Sequence, residues 1–396
     1  MISESMKEQV AKSSVIRQMF EEGARLAQLY GAENVFDFSL GNPNVEAPAS
    51  INESIIDIVN NTESVKLHGY MNNMGFPEVR KKIAESLNKK YNTHYDEINI
   101  CMSVGAAGGM NAILKTILNP GEEVVVLAPY FGEYNGYVAN HNGKLVTVPP
   151  NPPTFRPDTK ALDKHITANT KAVIINTPNN PTGVIYSEDD IKKIAEVLKK
   201  KSEEYNTDIA LVSDEPYREL AFEGIKVPFI PDYYDNTFIC YSYSKSLSLP
   251  GERIGYIVIS DKMKDADEVA SAISVATRTL GFVNAPAIMQ MVVAANLDAQ
   301  VNLEAYDKNR KDLYGGLSDL GFECVYPEGA FYLFMKSPVE SDKEFCEIAK
   351  RENILIVPGS AFGCPGYVRI AYCVSNDTIR NSMSGFEKIS KSLGLS

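Results

Sequence analysis

The sequence predicts an α/β fold: a large domain with a mainly parallel sheet flanked by helices, joined to a smaller α+β domain. Three observations carry this. From about residue 97, short β-branched runs alternate with helical patterns, as strand–helix–strand units require. Several of those runs are apolar on consecutive residues, which suits strands covered on both faces. Beyond about residue 290 the alternation gives way to a few longer β-like runs and one closing helix.

In chain order the strands are Ile98–Ser103, Val124–Ala128, Lys144–Val148, Ala172–Asn176, Ile209–Ser213, Phe238–Tyr241 and Ile254–Ile259. Between the first two, Met110, Ile113, Leu114, Ile117 and Leu118 recur at helical spacing, and Asn119-Pro120-Gly121 stops the run. Ser187 with Asp190 forms a capping-box pattern ahead of Ile191, Ile194, Val197 and Leu198. In the smaller unit, Phe322–Lys336, Ile354–Val357 and Tyr367–Cys373 read as strands. Ile379, Met383, Phe386, Ile389 and Leu393 give a final amphipathic helix. The expected division is 46–290 for the large domain, with 1–45 and 291–396 forming the N-terminal arm and small domain.

Composition removes several functions. With 396 residues the chain is long enough for two or three domains. Lys plus Arg is 39 against 51 Asp plus Glu, a net charge of −12, which repels phosphate backbones and anionic membranes. No nucleic-acid or membrane partner is expected, although a local pocket can still be positive. Six scattered cysteines without CxxC and four histidines without ligand spacing give neither a disulfide framework nor a zinc site. A reducing cytoplasm fits, and the N-terminus carries no apolar signal segment. Thr279–Leu297 is uncharged but holds Asn284, Pro286, Gln290 and Asn296. It reads as buried protein rather than a membrane span.

Open α/β sheets bind ligands at the carboxyl ends of their strands. Five segments follow such ends or sit in a late strand. Ser103–Gly109 is a small-residue turn into a helix, able to cradle an anion but equally a plain tight turn; it lacks the P-loop Gly-Lys-Ser/Thr. Asn176–Gly183 is rich in turn residues. Ser213-Asp214-Glu215-Pro216-Tyr217 puts a carboxylate at the end of an apolar strand, where it serves either an ion pair or a cationic ligand atom. Ser242–Gly255 holds Lys245 among small hydroxyl residues, a setting that can desolvate a lysine into a nucleophile. Arg369 lies inside Tyr367–Ala371, as a rim residue or as a bidentate clamp on a carboxylate.

Taken in order, these segments resemble one family. A Gly-rich turn, Asn180-Pro181-Thr182-Gly183, Asp214 with Tyr217, Ser242-x-x-Lys245 with Arg253, and Arg369 together resemble the class I/II pyridoxal-phosphate aminotransferases of fold type I. The likeness runs from Phe36–Pro43 to Arg369 and beyond. It implies pyridoxal 5′-phosphate bound as a covalent aldimine to Lys245, which also shuttles the proton. It implies Asp214 on the pyridine nitrogen, Asn180 and Tyr217 on the ring 3′-oxygen, and Phe131 stacked on the ring. Ala106, Ala107, Ser242 and Arg253 would hold the phosphate, joined by Tyr70 of a second subunit in a homodimer. Arg369 and Gly41 would hold the substrate α-carboxylate.

The resemblance further implies ping-pong transfer of an amino group from an amino acid to a 2-oxo acid. One branch reads a side-chain carboxylate with a lysine where this chain has Ala107. Another uses a partner arginine ahead of Asn-Pro-Pro; here Arg278 precedes Asn284-Ala285-Pro286, one residue out of register. Arg278 is therefore either the reader of an acidic donor, aspartate or glutamate, or a surface arginine at a helix end. A C–S β-lyase of the cystathionine or cysteine type uses the same lysine and aspartate and stands as the alternative. Transcription regulators sharing this fold add a basic N-terminal module that does not match a chain of this charge.

Overall fold

The computed structural model describes residues 1–11 and 15–395. Its large sheet has seven strands. Across the sheet they lie in the order Ile100–Ser103, Gly255–Ile259, Thr237–Ser242, Ala210–Asp214, Thr170–Asn176, Glu123–Leu127 and Lys144–Val148. All seven strands read from the sequence are present within a few residues of their expected bounds. Five of them, from Lys144–Val148 to Thr237–Ser242, pair in parallel. Gly255–Ile259 runs antiparallel to both its neighbours. The reason is its connection: only the one-turn helix Tyr243–Ser246 intervenes, too little for the crossover a parallel return needs.

Val124, Val125, Val126, Val173, Leu211 and Val212 are all buried, so the sheet is covered on both faces. Helix Gly105–Ile117 packs Met110, Ile113 and Leu114 on one face. Helix Glu188–Tyr205 packs Ile191, Ile194 and Leu198 on the other, behind the expected Ser187–Asp190 capping box. The uncharged stretch is only partly buried: Thr279, Gly281, Pro286 and Ala295 are exposed, but it contains helix Ala287–Ala295, where the buried Gln290 carboxamide accepts from Phe76 N at 3.0 Å and donates to Ala285 O at 2.8 Å. Among the described residues, no helix is long and apolar enough to cross a membrane.

The smaller sheet is antiparallel, in the order Val357–Pro358, Tyr367–Ala371, Tyr332–Lys336, Cys324–Val325. The single strand expected over Phe322–Lys336 is two strands, because 326–331 loops out to meet Ala221 through Gly329. Phe36–Asp37 pairs in parallel with Ile354–Leu355, which ties the N-terminal segment to this unit. Val45 packs on the small-sheet core and Ala47 on the large one. Met289, Val292 and Val293 lie in the large-sheet core and Ala299 packs against it, whereas Val301 belongs to the small-sheet core. On that packing we propose that the second crossing between domains falls between Ala299 and Val301 rather than at 290.

Candidate active site

A cavity of about 310 Å³ opens at the carboxyl ends of the central parallel strands. Asn176, Asp214 and Ser242 end three adjacent strands and all line it. Of the residues singled out from sequence, Gly41, Ala106, Ala107, Phe131, Asn180, Asp214, Tyr217, Ser242, Lys245, Arg253 and Arg369 line this one cavity. Tyr70 and Arg278 do not.

Asp214 is buried, and burial pushes its carboxyl up to about 7. Tyr134 donates to Oδ2 at 2.5 Å, while Oδ1 has no partner. The ion-pair reading of this segment belongs to its neighbour: Glu215 pairs with Arg218 and accepts from Ser213. Asp214 is left without a cation.

Lys245 sits on the one-turn helix after Ser242. Loss of solvation, opposed by Cys373 and reinforced by Arg253 and Arg369, brings its pKa down to about 8. Its Nζ donates to Gly41 O at 2.6 Å. Arg369 is buried beneath the ring of Tyr332, 4.5 Å from the centroid. One Nη donates to Asn180 Oδ1 at 3.0 Å and the other to Ser39 O at 2.5 Å; Nε has no partner. The Asn180 loop is held by its own asparagines. Asn176 Oδ1 accepts from Asn180 N at 2.7 Å, and Asn179 Oδ1 accepts from Thr182.

Helix Gly105–Ile117 begins at the cavity. No side chain caps it, whereas Ser187, Asp158 and Ser375 cap theirs, so its first N–H groups are free for an anion. Gly105 is required: it sits at φ +65°, and a Cβ there would lie 2.8 Å from an Arg253 Nη. Ser242 Oγ accepts from Ser244 N at 3.2 Å beside it.

Tyr70 is exposed, at 92 %. Arg278 lies in the last turn of helix Ala266–Thr279, also exposed. Their segments are nevertheless bound together. Asn73 Nδ2 donates to Val283 O at 2.7 Å, and Asn284 Nδ2 donates to Met71 O at 3.1 Å.

Sequence reasoning missed Tyr134 and Tyr332. Tyr134 was legible in principle, three residues beyond Phe131 at the start of helix Tyr134–Ala139. Tyr332 was not: nothing distinguishes it among 21 tyrosines until the small sheet brings it to Arg369.

This geometry has a counterpart in known proteins. Residues 33–386 match the family model for aminotransferase class I and II. This chain belongs to that family. An aspartate aminotransferase of Pyrococcus abyssi is 31% identical over 95% of each chain. Aromatic-amino-acid aminotransferase 2 of Thermococcus litoralis is 29% identical over 97% of each. The solved structure of an amino transferase from Eubacterium rectale is 45% identical over 99% of each chain, with a TM-score of 0.96. The aminotransferase is thus an enzyme that transfers amino groups, in a family that generally depends on pyridoxal phosphate. These relatives favour amino transfer over the β-lyase alternative.

Proposed function

We propose that the cavity binds pyridoxal 5′-phosphate and that the enzyme moves an amino group from aspartate or glutamate to a 2-oxo acid. One observation carries the cofactor reading: two buried polar atoms in one cavity, Asp214 Oδ1 and Arg369 Nε, lack partners, with a desolvated lysine in the same cavity. Such atoms cost stability unless a ligand completes them. A pyridinium N–H suits Asp214, a carboxylate suits Arg369, and a carbonyl carbon suits Lys245.

Asp214 would hold the ring nitrogen and Lys245 the cofactor's carbonyl carbon. Asn180 keeps its Nδ2 free as a donor because Arg369 occupies its Oδ1, so Nδ2 and the Tyr217 hydroxyl would meet the 3′-oxygen. Phe131 would lie on the ring. The N–H groups of Ala106 and Ala107, with Ser242, Arg253 and Tyr70 of the partner subunit, would hold the phosphate. The bound cofactor supplies an electron sink for the bond broken at the amino acid's Cα. The protein does the rest. Arg369 and Gly41 fix the α-carboxylate, which orients Cα. With its pKa near 8, Lys245 has a neutral amine available near neutral pH to take the proton from that Cα.

The cations lining this cavity are Lys245, Arg253 and Arg369. None is left to read a second carboxylate, so the acidic donor rests on the partner subunit's Arg278. We therefore propose a homodimer with shared sites, supported by the joined Tyr70 and Arg278 segments. The six free cysteines support a reducing cytoplasm as its location.

The test is the visible spectrum of protein reconstituted with pyridoxal phosphate. Aspartate or glutamate is expected to bleach the visible band, and a 2-oxo acid to restore it. Failure to gain a visible band overturns the cofactor reading; bleaching only by other amino acids overturns the donor.

A further inference from the structure

Tyr332 is buried, lines the cavity and belongs to none of the motifs above. Three contacts converge on it. Its hydroxyl is 2.9 Å from that of Tyr217. Its ring lies 4.5 Å from the Arg369 guanidinium, because Phe334 pairs with Arg369 across the small sheet and Tyr332 stands on the same face. Its oxygen fills the space beside Gly41, where a Cβ would come within 2.0 Å of it. One side chain of the small domain therefore touches the proposed partner of the cofactor's 3′-oxygen and both proposed partners of the substrate carboxylate.

We propose that Tyr332 is a positioning residue with two separable tasks: its hydroxyl donates to Tyr217 and so commits the Tyr217 proton to the cofactor's 3′-oxygen, and its ring fixes the plane of Arg369. This rests on the proposed cofactor reading. A phenol has one proton to give. The negatively charged 3′-oxygen is a stronger acceptor than a second phenol, so Tyr217 gives its proton there and Tyr332 becomes the donor to Tyr217. A donor chain of this kind polarises each member, which strengthens the hydrogen bond at its end. Burial raises the pKa of both phenols, and the Arg369 guanidinium opposes the rise in each, so both stay protonated and able to donate. The Tyr332 ring covers Arg369 at 4.5 Å, with Phe362 also against it at 4.8 Å, and the polar edge is left for a carboxylate.

The test uses the reconstituted enzyme and the variants Tyr332→Phe and Tyr332→Leu. Two quantities are read: the pH midpoint of the visible band and the KM of the amino donor. Losing the hydroxyl leaves more charge on the 3′-oxygen, which holds the proton on the neighbouring lysine nitrogen to higher pH. Tyr332→Phe should raise the midpoint by about half a pH unit and change KM less than about twofold. Tyr332→Leu should show the same rise and a KM higher by about tenfold. A purely structural role would move neither midpoint. A Phe variant with the wild-type midpoint overturns the hydroxyl's task, and a Leu variant with the Phe variant's KM overturns the ring's. Wild-type protein with no visible band overturns the cofactor reading, and this inference with it. If Tyr332→Leu does not fold, Tyr332→Met, which also lacks the ring, must show the tenfold higher KM.

Discussion

The hydroxyl of Tyr134 donates to Asp214 Oδ2 at 2.5 Å, and it is the only protein group bonded to that carboxylate's oxygens among the described residues. Burial pushes the Asp214 carboxyl up to about 7, and the Tyr134 bond opposes the rise. The second oxygen stays available for a cation. Tyr134 thus favours the ionised form of a group that its surroundings press toward the neutral acid, and the ionised form is what a pyridinium needs.

Removing that donor has a signed consequence. In Tyr134→Phe the Asp214 pKa rises further, so at pH 7 more of the cofactor-free protein carries a protonated Asp214 that must ionise before the cofactor binds. A one-unit rise from about 7 cuts the ionised fraction at pH 7 from about a half to about a tenth, so the Kd for pyridoxal phosphate should increase about fivefold at pH 7. It should approach the wild-type value by pH 9, above the shifted pKa. Equilibrium titration by absorbance at the two pH values measures both.

Lys245 sets the pH dependence of reconstitution. Its pKa is brought down to about 8 by loss of solvation, so the neutral, nucleophilic fraction grows about tenfold per pH unit below that value and then saturates. The rate of cofactor uptake by stopped-flow absorbance should rise from pH 6 and level off near 8. A rate still rising at pH 10 would mean an unperturbed, solvated lysine. Lys245→Ala should lower turnover by about 10³-fold or more.

On the proposed reading Arg369 is a planar clamp for the substrate carboxylate. One Nη holds Asn180, the other holds Ser39 O, and Nε has no partner. A lysine keeps the charge and loses the fork. Arg369→Lys should raise the donor KM by roughly 10²-fold, with a smaller fall in kcat, because on the proposed reading the lost contacts serve substrate binding. Steady-state kinetics with varied donor separates the two terms.

The proposed sharing of sites between subunits predicts complementation. In the proposed dimer Tyr70→Ala damages the partner's site and Lys245→Ala its own. Each variant alone should be nearly inactive. Subunits mixed through a denaturation–renaturation cycle should regain about a quarter of wild-type activity, since half the dimers are hybrids with one intact site each. No recovery would mean that Tyr70 serves its own chain or that the protein is not a dimer.

Most of the strand order along the chain, the Ser187 capping box and the helix after Gly105 were legible in sequence, because each follows from local periodicity and caps. So was most of the cavity. Strand ends carry the ligand groups of an open α/β sheet, and the segments holding Asn180, Asp214 and Ser242-x-x-Lys245 are local in the chain. The reversed direction of Gly255–Ile259 was not legible, since pairing sense depends on where the connection packs. Nor was the break between Cys324–Val325 and Tyr332–Lys336, which exists because the loop meets Ala221 far away in sequence. Tyr134 on Asp214 and Tyr332 between Tyr217, Gly41 and Arg369 were decided by tertiary structure alone. Most of the chemical groups that line the cavity, though not Tyr134 or Tyr332, follow from the order of local segments. Which of them stay charged, and which neighbours keep them so, depends on burial and on contacts between segments 80 to more than 300 residues apart, and only the folded chain decides those.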